Sequence, residues 1–200
     1  MNIDDKKEFA ELVNAALSAT GRNLPNTAGL TLWWEILEKW PLDAIRGGIK
    51  FVMTSGEYLT PGSVVKAISN ALWEPADVVW SRIPKTEQET VVESSEALSA
   101  LAAAGPLIDD GDMIAARQAF IKCYDRQVSH AAATGSIPKT RVSVGWDKAT
   151  LAPAIEQAMA QGRLTAEQAG KYLPAAELAR MQLSADRVGL ARIGHDEKAS

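Results

Sequence analysis

Apolar residues recur at helical intervals in one segment after another of this chain, and glycine, proline or a capping residue separates the segments. Phe9, Leu12, Val13, Ala16 and Leu17 fall at i, i+3, i+4, i+7 and i+8. That spacing places them on one stripe of an α-helix, which Gly21 ends. Asp5 stands three residues before Glu8, the spacing of a capping box at the start of that helix. Leu30, Trp33, Trp34 and Leu37 share one face of a second helix, with Leu32 and Ile36 on the other, so this helix is expected at the centre of its bundle. Leu42, Ile45, Ile49 and Val52 mark a third after Pro41. The interior pair Gly47-Gly48 costs helix propensity and predicts close approach of another backbone. Thr60 and Pro61 open a fourth, striped by Val64, Val65, Ile68 and Leu72.

Helical spacing continues beyond Leu72. Pro75 and Pro84 bracket an expected join, placed at residues 75–85, after a first domain at 1–74. Thr86 and Glu89 repeat the capping-box spacing before a helix expected from about Glu87 to Ala104 and stopped by Gly105-Pro106. The longest helix is expected from Asp112 to Ala133, with Ile114, Ile121, Tyr124 and Val128 on its apolar edge, widened by Ala116, Phe120 and Cys123. Val142 and Val144 alternate with Ser143, but in a run too short for an independent sheet. Asp147 caps the next helix, with Trp146 and Leu151 spaced as a hydrophobic staple. Thr165 and Gln168 give a further capping box, and a last helix is expected from Pro174 to about Ala191. The second domain spans 86–194, followed by a frayed tail at 195–200. The fold class that follows is all-α, two small helical bundles packed or linked in tandem.

Composition bounds what such a fold does. With 46% hydrophobic residues a real core is expected, and a net charge of −4 without a basic tail gives no support to binding nucleic acid by bulk charge. One cysteine, Cys123, and two histidines, His130 and His195, supply neither a disulfide framework nor a zinc site. Charged residues from Asp4 to Glu8 stand where a leader peptide would be apolar, and no apolar run is long enough to span a bilayer. A soluble protein of the host-cell cytoplasm, without a membrane contact, is expected. Phosphate-binding loops and the usual hydrolase and metalloprotease patterns are missing, so no catalytic residue, metal or cofactor is assigned and a non-enzymatic role is expected. Asp109, Asp110 and Asp112 read as helix capping before metal binding.

Five of the six tryptophans lie between Trp33 and Trp80. Most belong to a core, but tryptophan is enriched at binding hot spots, so Trp34, Trp40 or Trp73 could be an exposed partner anchor. Arg46 and Lys50 form an i, i+4 pair opposite the buried stripe of their helix. Trp34, Trp40, Arg46 and Lys50 are therefore the candidate partner-binding residues. Lys122, Arg126 and His130, at i, i+4 and i+8 on the longest helix, are the candidate nucleic-acid contacts.

The runs Leu32-Trp33-Trp34-Glu35-Ile36-Leu37, Ile45 to Val52, and Tyr58-Leu59-Thr60-Pro61-Gly62-Ser63-Val64-Val65-Lys66-Ala67-Ile68 resemble the N-terminal domain of phage helicase loader/inhibitor proteins. The resemblance covers about residues 6–73. It implies a short helical bundle that binds a replicative DnaB-type helicase, delivers it to an origin-bound initiator and restrains its ATPase. Loaders of that family also engage the helicase through a mobile C-terminal part, whereas the C-terminal part of this chain looks folded. The elements Trp80-x-x-Ile83-Pro84-Lys85-Thr86-Glu87, Gly111-Asp112-x-x-Ala115-Ala116-Arg117-x-Ala119-Phe120 and Gly145-Trp146-Asp147 are similar to an uncharacterised domain of phage-encoded proteins. A phage or prophage DNA-replication accessory protein is the expected function. The alternatives are a DNA-binding regulator, using Leu151 to Tyr172 as a helix-turn-helix-like pair with Pro174 onward or the Arg126 row on the phosphates in a weak DNA contact, and a phage inhibitor of another host protein.

Overall fold

The computed structural model describes residues 1–23 and 25–180. Of the last helix expected from sequence, residues 175–180 are helical; the remainder and the tail at 195–200 lie outside the described residues. The fold is all-α in class, with one two-stranded antiparallel ladder among the described residues. No described helix is long and apolar enough to cross a membrane. Two compact units alternate along the chain: residues 1–82 with 99–138, and residues 83–98 with 139–200.

The first unit begins with α1 (Lys6–Ala19), α2 (Thr27–Leu37), α3 (Leu42–Ser55) and α4 (Pro61–Leu72). Phe9, Val13, Ala16 and Leu17 bury the α1 stripe as its spacing requires. The N-terminal cap differs from the expected one. Asn2 accepts from the Asp4 and Asp5 amides, and Asp5 answers by accepting from the Asn2 amide (2.8 Å), so the box closes a 3-10 turn one step earlier. In α3, Ile45, Ile49 and Val52 are buried, and the two glycines separate in role. A Cβ on Gly48 would sit 3.1 Å from the Val64 carbonyl oxygen, whereas one on Gly47 would meet nothing. Close packing of α3 on α4 therefore needs only Gly48.

Thr60 caps α4 as expected: its hydroxyl accepts from the Ser63 amide (3.1 Å) while the Ser63 hydroxyl accepts from the Thr60 amide (2.9 Å). Thr60→Ala removes one partner of this box and is expected to lower stability by about 1 kcal/mol. A urea midpoint unchanged in the variant would disprove it.

The second helix does not lie at the centre of its bundle. Trp33, Trp34 and Leu37 are buried, but Leu32 is 56% exposed and Ile36 38%. Its apolar surroundings are satisfied on one face, and the sequence cannot mark which apolar face is left outside.

Residues 75–85 are not a bare join. Ala76–Arg82 form α5, whose Val79 and Trp80 are buried. Trp80 meets Phe120 of α7 (Met113–Ala133), with ring centroids 5.2 Å apart, and Phe120 stacks on Tyr124 at 5.8 Å. The Tyr124 hydroxyl donates to the Glu74 carbonyl (3.1 Å). Packing of α7 on α4 and α5 thus places the longest helix in the same unit as the N-terminal helices, and the division at 75–85 does not coincide with the compact units. At its other end α7 gives way to Gly135, in the left-handed region at φ 70°, where an added Cβ would strike Lys39. The Lys39 ammonium donates to the Ala133 carbonyl (3.0 Å). Asp112 caps α7 by accepting from the Ala115 amide (2.9 Å). Ile114 departs from the expected apolar edge at 77% exposed, while Tyr124 and the widening residues Ala116, Phe120 and Cys123 carry the burial.

Where one helix was expected over 87–104, strand β1 (Val91–Ser94) precedes α6 (Ser95–Asp109). The helix α6 also runs through the expected stop at Gly105-Pro106. A residue before proline is normally pushed out of the helical region by contact of its Cβ with the ring; Gly105 has no Cβ, and the helix passes. Ala97, Ala100 and Ala104 make its fully buried stripe. The first four residues of α6 belong to the second unit and the rest to the first.

In the second unit β1 pairs antiparallel with β2 (Thr140–Ser143), Val92 opposite Val142. The run, too short for an independent sheet, pairs with a segment whose spacing predicts the start of a helix. Val92, Ile155, Ala158, Leu164, Ala169 and Leu173 form the core, from β1, α8 (Leu151–Ala160), α9 (Ala166–Ala169) and the segments that follow the two helices. Arg163 binds this arrangement together: its Nη1 donates to the Val92 carbonyl and to Glu93 Oε1 (3.0 Å). Gly145 lies so close to Gln88 and Glu89 that a Cβ would overlap their backbone, and the Trp146 and Asp147 amides donate to the Glu87 and Gln88 carbonyls (both 3.0 Å). Trp146 is not a staple. It is 75% exposed, with its indole N–H donating to Glu87 (3.2 Å). The Thr165 box forms as expected, accepting from the Gln168 amide (3.2 Å). Burial holds the Lys85 ammonium below the usual lysine range, and it donates to the Ile83 carbonyl (2.5 Å).

Candidate partner-binding site

The tryptophans considered as anchors face inward. Trp34 is 8% exposed and Trp40 1%; Trp73 is buried too. Phe9 meets Trp34 edge-to-face at 5.3 Å, with the Lys6 ammonium over the ring. An anchor must be free to enter a partner's pocket, and these rings are already spent on packing the first unit. Arg46 is likewise occupied, 2.6 Å from Glu8, where it ties α3 to α1. Lys50 is exposed. Lys122, Arg126 and His130 are all exposed along α7, as their spacing requires, and the Arg126 guanidinium also reaches Cys123 Sγ at 3.7 Å. The helix-turn-helix-like pair fails on length: α9 has four residues, about one turn, too short to carry reading side chains along a groove.

The structure instead brings together two loops that the sequence keeps apart. Gly21, at φ 67°, turns the chain out of α1, and the Arg22 amide returns to the Leu17 carbonyl (2.9 Å). Gly56, at φ 76°, does the same at the end of α3. Leu59 is buried, pinning the following loop, and Tyr58 is left 70% exposed. The Arg22 guanidinium lies 3.3 Å from the Tyr58 ring centroid and donates through Nη1 to the Leu59 carbonyl (3.1 Å). Between these loops is a cleft of about 450 Å³, walled also by Leu17, Pro25, Trp33 and Pro61.

Arg22 is a held cation without a matching anion. Among the described residues Arg46, Arg82 and Arg163 pair with Glu8, Glu74 and Glu93, but no carboxylate pairs with Arg22. The lining carries no Asp, Glu, His, Cys or Lys. Its polar side chains are those of Arg22, Asn23, Tyr58 and Thr60. No group of three or more His, Cys, Asp or Glu suited to a metal occurs among the described residues. Sequence reasoning missed this cleft. Its only linear trace is a helix-ending glycine followed at once by Arg22 and another followed closely by Tyr58.

Comparison with protein-family models, with curated proteins and with solved structures gives no match.

Proposed function

We propose that this chain is a non-enzymatic phage or prophage DNA-replication accessory protein that binds a replicative DnaB-type helicase through protein contacts, and loads or inhibits it. Two things support the reading. The helicase-loader resemblance spans α1 to α4, and its Tyr58 to Ile68 element supplies one wall of the cleft. The observation that carries most weight is the cleft itself, a preset recognition surface around a cation that no carboxylate pairs with among the described residues.

The full chain is expected to co-purify with the hexameric helicase and to change its ATPase rate roughly five-fold or more, the low end of ordinary coupling between two binding events. A fall in rate identifies an inhibitor or a loader holding the helicase idle. An unaltered rate at saturating protein overturns the reading.

A second reading has one observation in its favour, the exposed row Lys122, Arg126 and His130. Two or three phosphate contacts would give a log–log salt slope of about −2 to −3 in a DNA-binding titration. Salt-independent or undetectable binding removes it. An inhibitor of a different host protein would use the same cleft, and what co-purifies from infected-cell extract decides between that and the helicase.

A further inference from the structure

We infer that the Arg22–Tyr58 cleft recognises a short peptide segment in which an aspartate or glutamate stands beside apolar side chains. The inference rests on the reading of the chain as a protein-contact factor, and it names the chemistry of the contact rather than the partner. Three features of the cleft lead to it.

The first is the state of Arg22. Stacking on Tyr58 and the bond to the Leu59 carbonyl hold the guanidinium in place before any ligand arrives. One edge of its fork of donors remains for an acceptor, and a carboxylate matches that planar fork with two parallel hydrogen bonds. Because the side chain is already ordered, little entropy is lost on binding.

The second is what surrounds the cation. The half-buried Pro25 and Pro61 offer apolar surface beside the largely buried Leu17 and Trp33, and Asn23, Tyr58 and Thr60 add polar groups. A ligand that satisfied Arg22 with a charge alone would leave those walls wet. One bearing leucine or phenylalanine next to its carboxylate fills them, in a volume within the range of ordinary ligand pockets.

The third decides against a nucleic acid. A phosphodiester chain is held by successive cations that track its backbone. This lining contains one cation, and the nearest charged pair along the chain, Lys66 with Glu57 (3.1 Å), is mutually neutralised. One carboxylate is the charge that one arginine calls for.

The test uses the ¹⁵N-labelled full chain and three probes: blocked peptides alternating Asp or Glu with Leu and Phe, twins with Asn or Gln in place of the acids, and a thymidine oligonucleotide. The acidic peptides are expected to move the Arg22 side-chain N–H and Trp33 indole signals and to bind roughly ten-fold or more tightly than their amide twins. Arg22→Gln should abolish that preference, and Arg22→Lys should restore part of it. Tyr58→Ala, at an exposed position that leaves the core intact, should weaken acidic peptides several-fold. Equal binding of the amide twins, a preference that survives Arg22→Gln, or the oligonucleotide moving these signals while the peptides do not, would each overturn the inference. Acidic peptides failing to bind the unaltered chain while the helicase does bind it would sink the inference and leave the helicase reading standing. Acidic peptides binding while the helicase does not would do the reverse.

Discussion

Phe120→Ala is expected to cost the first unit about 3 to 5 kcal/mol, the usual loss for truncating a fully buried phenylalanine. Phe120 is 0% exposed and sits between Trp80 and Tyr124. Removing its ring leaves two large aromatic faces lining a void, because neither α5 nor α7 can close inward without breaking its own packing. For a chain of this length the melting temperature should fall by roughly 6 to 20 °C. Phe120→Leu keeps much of the volume and should lose less. A midpoint within 2 °C of the parent's, as an order-of-magnitude threshold for no lost packing, would show that α7 is not the wall against which α5 is folded.

The second large effect is expected in the other unit. Glu93 is 5% exposed, and Arg163 is its charge partner at 3.0 Å. Arg163→Met removes a positive charge and a donor to the Val92 carbonyl while leaving the carboxylate inside. Stripping one partner from a buried pair costs about 3 to 5 kcal/mol, far more than the pair itself contributes. The double change Arg163→Met with Glu93→Gln should recover part of the loss, since the buried charge is gone. Amide hydrogen exchange at Val92 and Ile155 reads the effect in the unit concerned. Loss below 1 kcal/mol, well under the ordinary cost of such a rupture, would mean that the pair is incidental to this fold.

These two positions also mark where the sequence could be read and where it could not. The helical spacing around Phe120 was plain, and so were the caps at Thr60, Asp112 and Thr165, because each depends on residues within one or two turns. Val91 and Val92 were hidden inside an expected helix because a four-residue strand has no periodic signature of its own. Its strand character comes from Thr140 to Ser143, far along the chain. Pro106 misled for a local reason, the permissive Gly105 before it. The tryptophans misled for a different one: nothing in composition separates a ring that packs from a ring that docks, and Trp34 and Trp40 pack. The cleft was illegible because Arg22 and Tyr58 belong to separate loops and meet only after α1, α3 and α4 have assembled.

The alternation of the two units along the chain sets an order on biosynthesis. The N-terminal helices emerge from the ribosome first, yet the Phe120 ring that Trp80 packs against is made some forty residues later, when α7 is translated. Until then the nascent chain carries an uncovered aromatic ledge, the kind of surface that chaperones and premature aggregation compete for. A fragment ending at residue 82 inherits that ledge permanently, so shortening the gene to its first four or five helices removes the complement they were waiting for.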